Sequence, residues 1–304
     1  MADVESLRVI DGPWDERILA FACGDTVNVF AVLAERKTFL IDTLFSAPLA
    51  KALAKEALRE AERRGSKAPL CAINTHADWD HVWGNGVFSG NFALFPAPVI
   101  GHALCAERIR DEASRKELEE MRKNEPCRFE GAEIVLPDIR VNGAAEIDGG
   151  DLTIRLIPAP GHQPDQLAVW VPELKTLFPA DAAEDPLPFA QNLDEISSLE
   201  KTLRRLQALN ALFTLPCHAG SLPEVCQGVK LIERNISYIN ELKIIAAENL
   251  DERGSWSDFS GKAALRFEAV AKCLNEEKRV FYREAHDILA QGIWKLAEKV
   301  RPEC

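Results

Sequence analysis

The stretch His76-Ala77-Asp78-Trp79-Asp80-His81 places two imidazoles and two carboxylates directly after the apolar run 70–73. Imidazole with carboxylate suits zinc, iron or manganese, whereas an all-oxygen set suits magnesium or calcium and a thiolate set suits structural zinc. In a locally extended backbone alternate side chains share one side, so His76, Asp78 and Asp80 would point together, with His81 entering as the chain turns. Taken alone, such a cluster also fits a helix N-cap or a solvated loop. It does not stand alone: His162 follows Pro160-Gly161, Asp181 follows Phe178-Pro179-Ala180, and His218 follows Leu215-Pro216-Cys217, each after an apolar, strand-like segment.

With these four motifs in this order, the chain resembles the metallo-β-lactamase-fold superfamily of metallohydrolases over about residues 16–222. The first motif of that family reads His-x-His-x-Asp-His, so His76, Asp80 and His81 match and Asp78 stands where a second histidine is usual. The resemblance implies that His76, Asp78 and His162 hold one metal, that Asp80, His81 and His218 hold another, and that Asp181 lies between them. It also implies an α/β fold, a four-layer αββα sandwich. Asp80 would be the catalytic residue, orienting the nucleophile and passing a proton to the leaving group. A carboxylate at 78 is harder and more anionic than imidazole, which moves the preference from zinc towards iron or manganese. Flavodiiron proteins carry a glutamate in that place, and nuclease-like domains of some bacterial DNA-uptake proteins an aspartate. Neither resemblance extends further: a flavodiiron protein would need a flavodoxin-like domain, and the residues after 222 read as helices with no phosphate loop for a flavin. Two divalent ions are therefore expected as cofactors, with zinc first.

Two such cations sharing a water would bring its pKa from about 16 towards neutrality and yield a hydroxide nucleophile. The leading expectation is a dinuclear hydrolase acting on a small ester, thioester, lactone or phosphoester. Two alternatives are a non-haem diiron-type oxidoreductase of the same fold and a metal-dependent nuclease or phosphodiesterase. Trp79 and Trp83 flank the ligands and are candidates for an apolar wall of the substrate pocket, although large aromatics there can equally cover a core. His102, after Pro98-Val99-Ile100-Gly101, and Asn192, on the loop that follows Asp185-Pro186-Leu187-Pro188, are further substrate-binding candidates.

The elements that must position these groups begin with strand-like runs at 17–23, 27–33 and 37–42, divided by turns. Asp42 ends the third and either supports the metal-binding turn or caps the next helix. Residues 48–64 read as that helix, 70–74 as the strand delivering the first motif, and 104–123 as a charged helix over the sheet. Strand-like segments return at 133–136, 139–142, 151–157, 167–171 and 176–178, then a helix at 193–208 and a short strand at 212–215. From 223 the pattern changes to helices: Val225, Val229, Ile232, Ile236, Ile239 and Leu242 form one apolar stripe, and Leu289, Ile293, Leu296 and Val300 another. The expected organisation is a catalytic domain at 1–222 and a helical C-terminal appendage at 223–304, its stripes explained by core packing, a pocket wall or a homodimer contact.

Acidic side chains outnumber basic ones 48 to 36, and the net charge of −12 argues against nucleic acid as a partner, since phosphate binding needs clustered Lys and Arg. A small-molecule substrate is the expectation. No apolar stretch approaches the roughly eighteen residues of a bilayer span. The start, Met1-Ala2-Asp3-Val4-Glu5, lacks the basic-then-apolar layout of a signal peptide. A cytoplasmic location without a membrane partner follows as an expectation. The 8 cysteines are scattered with no Cys-x-x-Cys pair, which reads as reduced, mostly buried thiols, Cys217 among them with its side chain turned from the metals.

Overall fold

The computed structural model describes residues 6–91, 93–272 and 274–300; residues 1–5, Cys273, Cys304 and the side chain of Val300, which figure in the readings above, lie outside the described residues. Two mixed sheets face each other. The first takes β1 (Leu7–Ile10), β2 (Ile18–Cys23), β3 (Val27–Leu33), β4 (Thr38–Ile41), β5 (Leu70–Ile73), β6 (Val99–His102) and β7 (Ile139–Val141) in chain order. Pairing is antiparallel through β4 and parallel from β4 to β7. The second runs in the order β12 (Phe213–Thr214), β11 (Thr176–Phe178), β10 (Leu167–Val171), β9 (Thr153–Pro158), β8 (Ala145–Asp148).

The parallel step from β4 to β5 requires a crossover, and α1 (Ala47–Arg63) supplies it. Its buried face is Leu49, Ala50, Leu53, Ala54, Ala57 and Ala61, the three-and-four spacing of an amphipathic helix, with small alanines that let it lie close on the sheet. A single helical turn, α2 (Trp79–Val82), carries the end of the first motif. The charged stretch after β6 is two helices rather than one, α3 (Ala103–Arg110) and α4 (Glu112–Asn124). The break falls at Asp111, whose carboxylate accepts from the Glu112 backbone N–H and so favours a new helix start over continuation. In α4 only Leu118 is buried, as an exposed excursion requires. Residues 133–136 form no strand, while β1 and β8, which the alternation does not mark, pair as edge strands of the two sheets.

Period-two alternation in β10 explains the layering. Leu167, Val169 and Val171 join the core between the sheets, whereas Ala168 and Trp170 face a second core. That second core packs the outer face of the sheet against α5 (Ile196–Gln207), then, beyond the short α6 (Leu222–Val225), against α7 (Lys230–Asp251), α8 (Trp256–Val270) and α9 (Glu276–Val300). The order is helix, sheet, sheet, helix. Ile232, Ile236, Ile239 and Leu242 of the first stripe and Leu289 and Ile293 of the second lie buried in this core, with Leu296 packed against it. The helices after residue 222 thus share one apolar core with α5 and the second sheet. No described helix is long and apolar enough to cross a membrane.

Candidate metal centre

The first motif leaves β5, His162 sits between β9 and β10, Asp181 follows β11 and His218 follows β12, so all of them meet at one edge of the sandwich. The turn bearing the first motif is pinned by its backbone: Asp42 N–H donates to Ile73, Thr43 N–H to His81 and Leu167 N–H to Thr75. Left-handed backbone recurs here, at Asp42 (φ 67°), Leu44 (φ 65°) and Ala180 (φ 51°), conformations held only because the surrounding bonds fix them. Gly161, before His162, has φ 142°, and a Cβ there would stand 2.3 Å from the Cα of Leu199. Only glycine allows that turn to press against α5.

Oδ2 of Asp181 is the geometric centre of the cluster. It lies 3.5 Å from Nε2 of His76, 3.4 Å from that of His81, 3.6 Å from that of His162 and 3.2 Å from that of His218. Around it two sets form. Asp78 Oδ2 stands 3.4 Å from His76 Nε2 and 3.1 Å from His162 Nε2. Asp80 Oδ2 stands 3.5 Å from both His81 Nε2 and His218 Nε2. In each set the ligand-type atoms lie within 4.8 Å of one another.

The opposite ring nitrogens explain why all four Nε2 atoms point inward. Nδ1 of His162 donates to the Phe189 carbonyl at 3.0 Å and Nδ1 of His218 to the Thr26 carbonyl at 2.9 Å. Nδ1 of His81 donates to Asp42 Oδ2 at 2.8 Å, and Nδ1 of His76 lies 3.1 Å from the Thr75 hydroxyl. A proton held on Nδ1 leaves the Nε2 lone pair for an ion. Asp42 also accepts from the Thr75 N–H and hydroxyl, while the N-cap of α1 is Ser46. Of its two sequence readings, the structure places Asp42 behind His81. Cys217 is buried on that same side, 4.0 Å from Asp42 Oδ2, and burial pushes its thiol pKa up.

Three observations test whether a divalent ion fits. Nε2 of His76, Nε2 of His81 and Oδ1 of Asp181 are buried without a hydrogen-bond partner, which is costly unless something else satisfies them. Donors arranged tetrahedrally at roughly 2.0–2.1 Å from one ion stand about 3.3 Å apart, the spacing seen here. Burial alone would push the imidazoles down, but the carboxylates around them reverse this: His162 is pushed up to about 9 and His218 to about 10. For Asp78 burial raises the carboxyl and the neighbouring His76 and His162 outweigh it, holding it well below the usual carboxylate range. The cluster is thus an anionic pocket that attracts cations, and its residues fit divalent metal.

Sequence reading missed four groups at this edge. Arg108, on α3, donates to Asp78 Oδ1 at 2.7 Å, and Gln163 donates to both oxygens of Asp78 at 3.0 Å. Glu184 is buried within 4.8 Å reach of His162 and Asp181. Its Oε2 accepts from the Tyr282 hydroxyl at 3.0 Å, its Oε1 has no partner, and burial pushes its carboxyl up to about 7. Asn235 of α7 brackets its backbone, accepting from the N–H at 3.0 Å and donating to the carbonyl at 2.8 Å. Glu184 and Gln163 adjoin motif residues and could have been marked by position; Arg108 and Tyr282 had no local signal.

A cavity of about 670 Å³ opens over the cluster, lined by Asp78, Trp79, Asp80, His162, Asp181 and His218 and walled by Lys278, Phe281 and Tyr282 of α9. A second groove of about 850 Å³ reaches Asp78 and Trp79 from the α4 side, past Arg108 and Gln163. Among the candidate substrate contacts, Trp79 lines both spaces. Trp83 is fully buried beneath it against Phe129, with ring centroids 5.8 Å apart. His102 caps α3, its Nδ1 accepting from Leu104 N–H at 3.2 Å, and Asn192 begins the short helical turn Leu193–Glu195. Neither is among the described residues that line the two spaces.

Known proteins resemble this chain in sequence and in fold. The chain is 25% identical over 188 residues to "Putative transcription factor avaE" of Aspergillus versicolor, covering 57% of this chain and 53% of that one, so it spans about half that relative's length. It is 23% identical over 215 residues to "Acyl-coenzyme A thioesterase MBLAC2" of Homo sapiens, covering 65% of this chain and 75% of that one. Its fold is similar to that of a metallo-beta-lactamase from Pontibacter korlensis, with a TM-score of 0.53, 17% identity, and 76% of this chain and 98% of the other covered. The DIM-1 metallo-beta-lactamase gives 0.52 and 16%, with 77% and 97% covered. The family model of the metallo-beta-lactamase superfamily matches residues 24–218, the span that carries every residue of the cluster, and the chain belongs to that superfamily.

Proposed function

We propose that this protein is a dinuclear metal-dependent hydrolase of a small ester, thioester, lactone or phosphoester, with a thioester the first choice because a relative carries the name acyl-coenzyme A thioesterase. The observation that carries the reading is the single oxygen of Asp181 set 3.2 to 3.6 Å from four imidazole nitrogens whose other nitrogens are anchored. His76, Asp78 and His162 would hold one ion, Asp80, His81 and His218 the other, and Asp181 both. When bound, such ions supply an acidified water and polarise the scissile bond, zinc being the first candidate and iron or manganese the others.

The chain's own residues do the rest. Asp80 belongs to the second set and lines the cavity, so its carboxylate can take a proton from the attacking water and hand it to the leaving group. Trp79, Phe281 and Tyr282 wall off bulk water and offer apolar surface to a substrate. A cavity of about 670 Å³ suits a small molecule.

Elemental analysis of protein purified without added metal, followed by assay on a panel of the four bond classes, tests this. Asp78→Ala and His81→Ala should each lose metal and activity together; full turnover by either metal-free variant refutes the proposal. A second reading, an iron oxidoreductase, is favoured by the oxygen donors Asp78 and Glu184. Iron in the isolated protein, with absorbance that changes on reduction, would support it, and colourless protein holding stoichiometric zinc would end it.

A further inference from the structure

Asp78 is the one member of its set that owns two donor atoms, and the structure treats them differently. Oδ2 faces His76 Nε2 at 3.4 Å and His162 Nε2 at 3.1 Å. Oδ1 is turned away and accepts from Arg108 Nη2 at 2.7 Å. Gln163 Nε2 straddles the carboxylate, 3.0 Å from each oxygen. Arg108 is itself fixed from behind, because its Nη1 donates to Asp165, a carboxylate with no solvent exposure on the β9–β10 loop. The planar guanidinium therefore spans two carboxylates from two loops, and neither can rotate without breaking a charged hydrogen bond. A free carboxylate beside a divalent cation readily offers both oxygens.

We propose that Arg108 is a positioning residue that makes Asp78 a one-oxygen donor, so that it offers the centre a single lone pair as His76 and His162 do. The consequence is a low coordination number in the first set. That keeps the ion suited to zinc and leaves a position free for water or substrate on the cavity side. Without Arg108, Asp78 would swing both oxygens inward and fill that position, favouring ions that take six oxygen-rich ligands. The inference rests on the reading of this cluster as a metal centre.

The test is the visible absorption of the protein loaded with cobalt(II), whose ligand-field bands are intense at four or five ligands and weak at six. Removing Arg108 alone would strand Asp165, so the informative protein is the double variant Arg108→Gln with Asp165→Asn, which keeps a neutral hydrogen-bonding pair. It should show weaker cobalt bands than the wild type, and chelator competition should show manganese gaining about tenfold on zinc. In an Asp78→His background the same two substitutions should leave the cobalt spectrum unchanged, because no second oxygen exists to release. Arg108→Lys, which keeps the charge but not the fork, should fall between. A double variant that takes up cobalt with wild-type bands and an unchanged manganese-to-zinc ratio overturns the inference alone, whatever its melting temperature. A wild-type protein that takes up no cobalt overturns this inference and the metal-centre reading together.

Discussion

The two halves of the cluster are built by different means. His76, Asp78, Asp80 and His81 come from one turn after β5, held by bonds to Asp42 and Thr43 just past β4 and by Thr75 within the turn, while Arg108 of α3 and Gln163 grip Asp78. His162, Asp181 and His218 come from three separate turns of the second sheet. These are tied to one another by Asp185 N–H to His218 and Gln191 N–H to His162, and braced by α7 and α9 through Asn235 and Tyr282. The donors of the first half are contiguous in the chain; those of the second are gathered from distant chain and lean on the helical layer. Damage in the first half should therefore be confined to metal and catalysis, whereas damage in the second should spread into stability.

The largest expected effect lies where the halves join. Asp181→Ala removes the oxygen shared by all four imidazoles, and hydrolytic kcat/KM should drop by at least ~10³-fold with metal content falling in step. Retention of full metal content would show the two sets to be independent. Gly161→Ala should cost more than about 2 kcal/mol of stability, because the new Cβ meets the backbone of α5 at a left-handed position. Chemical denaturation with a midpoint matching the wild type would show that the second half yields more easily than its packing indicates. Asp42→Ala, in the first half, should weaken metal affinity by about 10–100-fold, since His81 loses the partner that fixes its ring, while the melting temperature of the metal-free protein changes far less than in Gly161→Ala.

The smallest effect is a pH dependence of the metal-free protein. His162 and His218, at about 9 and about 10 in the folded state against an ordinary 6.5, contribute stability that is complete below 6.5 and is lost as the pH climbs through those folded values. Glu184, at about 7 against 4.5, acts with the same sign over a lower window. Asp78 and Asp181, held well below 3.8, act oppositely and only as the pH falls beneath the ordinary carboxylate range. The melting temperature of chelated protein should therefore decline from about pH 6 to about pH 10, and Glu184→Gln should flatten only the lower part of that decline. A rise over the same interval would contradict the electrostatic account of the second half.

How much of this was legible beforehand follows the same division. The first motif could be read because its donors are adjacent in the chain, but the extended alternation ends at Asp78: Asp80 and His81 reach the cluster from the helical turn α2 and join the other set. His162, Asp181 and His218 could be read because each ends an apolar run, and the family pattern supplied their roles. Asp42 carries two readings, since a strand-end aspartate before a helix looks alike in either; the fold gives the cap to Ser46 and sets Asp42 behind His81. The stretch 104–123 reads as one helix because its composition is helical throughout, and a single hydrogen bond accepted by the Asp111 carboxylate from the Glu112 N–H divides it.

The sequence by itself determined the donor types, their order, the layered α/β class and the amphipathic stripes, because each is a local pattern of chemistry or periodicity. Only the tertiary structure decided that Arg108 grips Asp78, that Glu184 is buried against the centre and that Tyr282 holds it. It also decided that Trp83, His102 and Asn192 stand off the cavity while Trp79 lines it. The Arg108 and Tyr282 contacts join residues 30 and 98 positions apart, and their partners are set by how whole layers stack, which no short window of sequence encodes.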